Sequence, residues 1–246
     1  MPWILPALGN SILNLAFPQA CHSCGRSVKD SRLGIACSEC WEGTTFFDSF
    51  VSTCPKCGAM SYSGGTTFGC RNCEPHHYDA ARSVGVYEHA LRANVLHLKR
   101  VPVVPSILIE RMPAIISDAG FGDADLIVPV PLSEKRYVER GFNQAEILAR
   151  VLSRYTGIPL DPQSLLRKKH TRMHRAGMDR KAREATVENA FEVVRPKLIA
   201  GRSILLVDDI FTSGATASYC AKALKRRGAA EVNVFTLARA QSAKAF

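Results

Sequence analysis

From Ser83 onward the chain alternates short apolar runs with stretches of helical period. Ser83 to Tyr87 reads as extended, Ala90 to Lys99 as helical, and Asp125 to Val130 as a buried strand. A helix follows that strand: Asn143 can cap it, Glu146 sits three positions on, and Ala145, Leu148, Ala149 and Leu152 share one face. Weaker extended signals lie at Leu165 and Leu166 and from Asn189 to Val194, whereas Ser203 to Val207 is a strong apolar strand. It leads through a short loop into a helix with Ala217, Cys220, Ala221 and Leu224 on one face. Lys225, Arg226 and Arg227 place positive charge at the end of that helix, and Gly228 stops it. Glu231 to Leu237 is the last strand. The alternation predicts an α/β fold with a mostly parallel sheet and flanking helices on both faces, and in such sheets ligands bind beyond the C-terminal ends of the strands. Cys220, on an apolar helix face, reads as a small core residue.

Before residue 78 the pattern is different, which predicts two domains, 1–77 and 78–246. The first 18 residues are uncharged and largely apolar, but Pro2, Pro6, Gly9 and Asn10 interrupt them and no Lys or Arg precedes them. They read as a short helix with Ile12, Leu13, Leu15, Ala16 and Phe17 packed on the body, neither a signal peptide nor a membrane insertion. The expected location is cytoplasmic, where clustered cysteines bind metal more often than they form disulfides.

Eight cysteines then fall into two copies of one pattern. Cys21, Cys24, Cys37 and Cys40 are followed, 33 positions later in each case, by Cys54, Cys57, Cys70 and Cys73. A Cys-x-x-Cys turn closed by Gly25 or Gly58 points two thiolates at one ion, and a short hairpin is expected to return the second pair. The pattern predicts a double zinc ribbon with two closed, structural tetrathiolate sites, since catalysis would need an open coordination position. Consecutive quartets are the simplest pairing, and spacing leaves a crossed pairing open. His22, His76 and His77 lie near the cysteines and read as surface histidines.

The formal charge is +10, and it becomes +6 with eight thiolates and two zinc ions counted. A basic chain suits a polyphosphate or nucleic-acid partner without choosing between them.

The run from Ile204 to Thr216 is the most informative. It places Asp208 and Asp209 at the end of an apolar strand and a small, hydroxyl-rich loop at the start of a helix. Thr212, Ser213, Gly214, Ala215 and Thr216 can wrap a phosphate with backbone N–H groups, hydroxyls and the helix dipole. The two carboxylates can accept hydrogen bonds from the hydroxyls of a ribose attached to that phosphate.

This run resembles the phosphoribosyl pyrophosphate signature of type I phosphoribosyltransferases. Val128 to Gln144, ending in Arg-Gly-Phe-Asn-Gln, resembles the first catalytic loop of the ComF family. With the ribbons, the resemblance to ComF proteins covers nearly the whole chain. It implies a type I phosphoribosyltransferase-like sheet behind the zinc module, with phosphoribosyl pyrophosphate and magnesium as ligands. By that resemblance Arg136 and Arg140 hold pyrophosphate, and Asp208 and Asp209 are both binding and catalytic residues. Purine-salvage enzymes of this class usually carry an Asp where Thr212 stands, so a 6-oxopurine acceptor is disfavoured. The basic run from Arg167 to Arg183 sits where this class has a mobile loop, and its Met173 to Gly177 departs from the ComF pattern. The resemblance implies a phosphoribosyltransferase of unknown acceptor linked to DNA uptake. Its alternative is a non-catalytic sensor of phosphoribosyl pyrophosphate that binds single-stranded DNA or a DNA-uptake helicase.

Overall fold

A computed structural model of the chain describes residues 19–47, 53–60, 73–168 and 190–241. The apolar segment before residue 19, Cys70, and most of the basic run lie outside the described residues.

The order begins with a two-residue pair, β1 (Gln19–Ala20) and β2 (Ser27–Val28), and a short helix α1 (Ser38–Glu42). Then come β3 (Ala80–Val86), α2 (His89–Leu98), α3 (Ser106–Asp118), β4 (Leu126–Pro129), α4 (Glu134–Arg140) and α5 (Gln144–Thr156). The chain continues through β5 (Leu165–Arg167), β6 (Phe191–Val193), β7 (Ser203–Phe211), α6 (Ala215–Lys225) and β8 (Glu231–Arg239). Strands β3, β8, β7 and β4 pair in that order, all parallel, while β5 and β6 form a separate antiparallel pair.

Both faces of the four-stranded sheet are buried, which is why its strands are apolar runs rather than alternating ones. Along β7, Leu205 and Val207 join a core built from α2, α3, α5 and the first ribbon. Ile204 and Leu206 join a second core with α6, β5, β6 and the second ribbon. Ala217, Cys220, Ala221 and Leu224 are all buried in that second core, as the periodicity predicts, and burial pushes the Cys220 thiol well up.

Three elements differ from the sequence reading. Helix α3 has no counterpart in it, because Pro113 inside the helix and Pro102 and Pro105 before it mask the period, yet Leu108, Met112 and Ile116 are fully buried one turn apart. The expected loop carrying Arg136 contains a helix, α4, capped by the Ser133 side chain and closed at Gly141, whose φ is +77°. Asn143 does cap α5, accepting from the Ala145 amide at 3.1 Å, but Glu146 pairs with Arg150 instead of completing a capping box.

Strand β3 is one edge of the sheet, and both ribbons cover it. The Val86 amide donates to the Thr45 carbonyl and the Phe47 amide to the Val84 carbonyl, so the exit of the first ribbon pairs with the C-terminal half. The Ala81 amide donates to the Lys56 carbonyl of the second ribbon near the start. Covering an edge in this way removes a template for pairing with other chains. Among the described residues no helix is long and apolar enough to cross a membrane.

Candidate functional site

The first cysteine group closes as a consecutive quartet, and three cysteines of the second, Cys54, Cys57 and Cys73, gather with one another. The Sγ atoms of Cys21, Cys24, Cys37 and Cys40 all lie within 4.8 Å of one another, as do those of Cys54, Cys57 and Cys73. Zinc–sulfur bonds of about 2.3 Å in a regular tetrahedron put sulfurs roughly 3.8 Å apart. Cys21–Cys40 at 3.8 Å, Cys24–Cys37 at 3.6 Å and Cys54–Cys73 at 3.7 Å therefore fit zinc without rearrangement. In the first quartet the second pair rides on a helical turn, with Cys37 at the N-cap of α1, where a hairpin was expected. The Arg26 guanidinium donates to Cys24 Sγ at 3.4 Å and draws that thiol down to about 6. Burial pushes the Cys37 thiol up to about 12. No histidine joins either group among the described residues: His22 packs edge-on against His97 and His76 stacks on Tyr78.

The carboxylate pair sits at the C-terminal end of β7, where the parallel sheet opens. The Asp208 side chain accepts from the Asp209 amide at 2.8 Å, while Asp209 turns toward the end of α2 and meets Lys99 Nζ at 3.7 Å. Burial, reinforced by the negative charge of Asp209, raises the Asp208 carboxyl well above the usual carboxylate range. Lys99 only partly offsets that repulsion. The pair therefore favours a hydrogen-bond donor or a cation arriving from outside. Oxygen ligands of this kind suit magnesium.

Beyond Phe211 the chain turns sharply into α6. Thr212, Ser213 and Thr216 are exposed and Gly214 is buried at the N-cap. Gly214 has φ +78°, and a Cβ there would sit 2.6 Å from Phe211 Cζ, so only glycine fits both the backbone and the space. No side chain caps the helix; Ser213 Oγ receives only the Ala215 amide, at 3.4 Å. The first-turn amides, which have no intrahelical acceptor, and the helix dipole are thus presented to solvent beside the carboxylates.

Strand β4 lies beside β7, with Pro129 opposite Val207, so the segment bearing Arg136 and Arg140 leaves the sheet next to Asp208. The Asn143 side chain donates to the Val130 carbonyl at 3.0 Å and ties the two ends of that segment together. Arg136 is exposed and Arg140 half-buried on α4, and neither guanidinium has an ionic partner among the described residues. Lys99 escaped the sequence reading, as nothing in its helical run marks it as a partner for a carboxylate 110 positions away.

A family model described as a phosphoribosyl transferase domain matches residues 138–245, and one described as a double zinc ribbon domain matches residues 12–74. The DNA utilization protein YhgH of Salmonella typhi is 30% identical over 233 residues, covering 92% of this chain and 99% of that protein. Competence protein F of Haemophilus influenzae is 39% identical over 117 residues, 47% of this chain and 51% of that one. Competence protein ComFC of Bacillus subtilis is 38% identical over 120 residues, 46% of this chain and 44% of that one. The ribbon quartets, the carboxylate pair with its glycine-turned loop, and relatives aligned along nearly the full length agree that the chain belongs to the ComF family, a double zinc ribbon joined to a phosphoribosyl transferase domain.

Proposed function

We propose that this chain binds phosphoribosyl pyrophosphate with magnesium at the end of β7 and transfers its phosphoribosyl group to a nitrogen acceptor, in a step linked to DNA uptake in the cytoplasm. One observation carries the reading: a single strand-to-helix turn sets Asp208 and Asp209 beside an uncapped helix start turned by Gly214. The 5′-phosphate takes the amides and hydroxyls of Thr212, Ser213, Gly214, Ala215 and Thr216. The ribose hydroxyls donate to Asp208 and Asp209, which supply the missing donors for that pair. Arg136 and Arg140, on the segment that leaves the adjacent strand and with no ionic partner among the described residues, hold the pyrophosphate.

In the reaction the bond from C1 to the pyrophosphate oxygen breaks, pyrophosphate leaves with the electron pair, and the nitrogen lone pair forms the new bond as its proton departs. Positive charge develops on the ribose ring, and the carboxylates stabilise it from below. Asp208 and Asp209 are the residues that would hold magnesium, whose charge would offset that of the leaving group. Lys99 keeps Asp209 aimed. Thr212 cannot share a proton with a 6-oxopurine, which supports a different acceptor. The ribbons hold zinc as structural metal.

The link to DNA draws on the names of the relatives. A second reading, a non-catalytic sensor that binds single-stranded DNA or a helicase, is favoured by a shallow groove at the far end of α6 lined by Lys168, Arg226, Arg227 and Phe191. It gathers three cations at the root of the basic run, beside Glu192 and with the Phe191 ring buried beneath. Calorimetry of phosphoribosyl pyrophosphate with magnesium on the zinc-loaded protein, with pyrophosphate release followed in the same sample, separates the readings. Binding with release supports the transferase, binding without release supports the sensor, and no binding overturns both.

A further inference from the structure

The second ribbon forms the underside of the phosphate loop. Arg239, the last residue of β8, donates through Nη1 to the Cys57 carbonyl at 2.5 Å and through Nη2 to Cys57 Sγ at 3.5 Å. The same guanidinium lies 4.5 Å from the centre of the Phe211 ring. Phe211 in turn fills the space beneath Gly214, and the Tyr78 hydroxyl closes that space from the other side, 3.2 Å from where a Cβ would stand. Tyr78 packs edge-on against Phe211 at 5.8 Å, is itself buried, and follows Cys73 by only five residues. His76 stacks on Tyr78 and touches the Ser213 main chain, and the His77 amide donates to Ser218 Oγ in the first turns of α6. Lys56, between Cys54 and Cys57, binds the carbonyls of Glu74 and His76, joining the two halves of the ribbon beneath the loop.

We infer that Arg239 is a positioning residue that transmits metal occupancy of the second ribbon to the phosphate loop. The ion tethers Cys57 to Cys54 and Cys73; tethered, Cys57 offers both a carbonyl and a sulfur to the two-pronged guanidinium. That fork holds the Phe211 ring flat under Gly214 and keeps the loop amides converged. Without the tether the fork loses its acceptors, the ring gains room, and the loop amides spread. Among the described residues the first ribbon's contacts run instead to α2, including His22 against His97, and to the far half of β3, and none of them meets Phe211 or Gly214. The inference rests on the reading of Thr212 to Thr216 as a phosphate site, and makes that site conditional on zinc.

The test compares the full-length zinc-loaded chain with Arg239→Ala, Cys57→Ser and Cys24→Ser. Three quantities are read: zinc per chain, hydrogen exchange of the Ser218 amide in ligand-free protein, and calorimetric affinity for phosphoribosyl pyrophosphate with magnesium. The Ser218 amide closes the first turn on the Gly214 carbonyl at 2.8 Å and so reports loop order without ligand. Arg239→Ala should keep both zinc ions, speed that exchange and weaken binding about tenfold, the scale on which loss of a supporting shell acts. Cys57→Ser should lose one zinc with the same two effects, and Cys24→Ser one zinc with neither. Unchanged exchange and affinity in Arg239→Ala, or equal effects from the two cysteine variants, would overturn the inference. Should Arg239→Ala lose its zinc through misfolding, Arg239→Lys decides on the same readouts, since it keeps stem and charge but not the fork. Failure of the wild type to bind ligand would defeat the functional reading alone, because the exchange measurement still decides the coupling.

Discussion

The two ribbons repeat one cysteine spacing, yet they hold the sheet by different means. The first presses Val28, Ala36, Cys40 and Trp41 into the core shared with α2 and α3, and its attachment is chiefly apolar. Trp41 stacks on Phe46 and donates through its indole to the Leu33 carbonyl at 2.9 Å. The second packs its cysteines into the other core and adds cations from the sheet, Arg82 donating to the Pro55 carbonyl and Arg239 gripping Cys57. Identical metal tethers thus serve two ends. A duplicated site diverges through the residues between and beside its ligands, because the cysteines fix only the local turn.

The comparison breaks most visibly at Trp41. Trp41→Ala should destabilise the folded protein by about 3–5 kcal/mol in denaturant unfolding, through lost burial and a cavity. Ligand affinity of the remaining folded protein should be unchanged; a loss of affinity would mean that the first ribbon also shapes the loop.

A matched pair of glycine variants sharpens the contrast. At Gly58 a Cβ would lie 2.6 Å from the Ala81 carbonyl with φ at +69°, and at Gly85 it would lie 2.4 Å from the Thr45 carbonyl. Gly58→Ala, by backbone strain and lost docking, and Gly85→Ala, by lost docking, should each cost roughly 2 kcal/mol. Only Gly58→Ala should also weaken phosphoribosyl pyrophosphate binding in calorimetry, and equal effects on affinity would erase the distinction.

A smaller effect is expected at the carboxylate pair. The Asp208 carboxyl is held well above the ordinary value, about 3.9 in an unfolded chain, by burial and by Asp209. Between the two values the folded protein carries more protons than the unfolded one, so stability is lost as pH rises through that interval. Asp208→Asn should therefore melt higher than wild type at pH 8 in the absence of ligand, with the difference shrinking toward pH 4. Scanning calorimetry across that range checks it, and a gap independent of pH would show that the carboxyl carries no such penalty.

The smallest effect is at Arg26, an exposed residue whose guanidinium touches Cys24. Arg26→Gln should weaken zinc at the first site a few-fold in chelator competition and leave the second site alone.

Much of this was legible along the chain. Asp208 through Thr216 is one continuous strand, turn and helix start, so its chemistry could be read from adjacent residues, and the helix face of Ala217, Cys220, Ala221 and Leu224 follows from a period of 3.6. Helix α3 was hidden by Pro113, and α4 by a run that also reads as a loop. Lys99 and Arg239 were invisible for a different reason, since their meaning lies in partners far along the chain.

The amino-acid order by itself determined the two cysteine groupings, the strand-to-helix turn at Gly214 and the alternation that demands a parallel sheet, because each is encoded in spacings within a turn or a single element. Tertiary structure decided that the first quartet closes on itself, which ribbon lies under the loop, and that Arg239 meets Cys57 across 182 positions. Parallel strands cannot be joined by tight turns, so the strand order β3, β8, β7, β4 brings the first strand of the sheet beside the last, and contacts across that seam belong to the fold rather than to any local pattern.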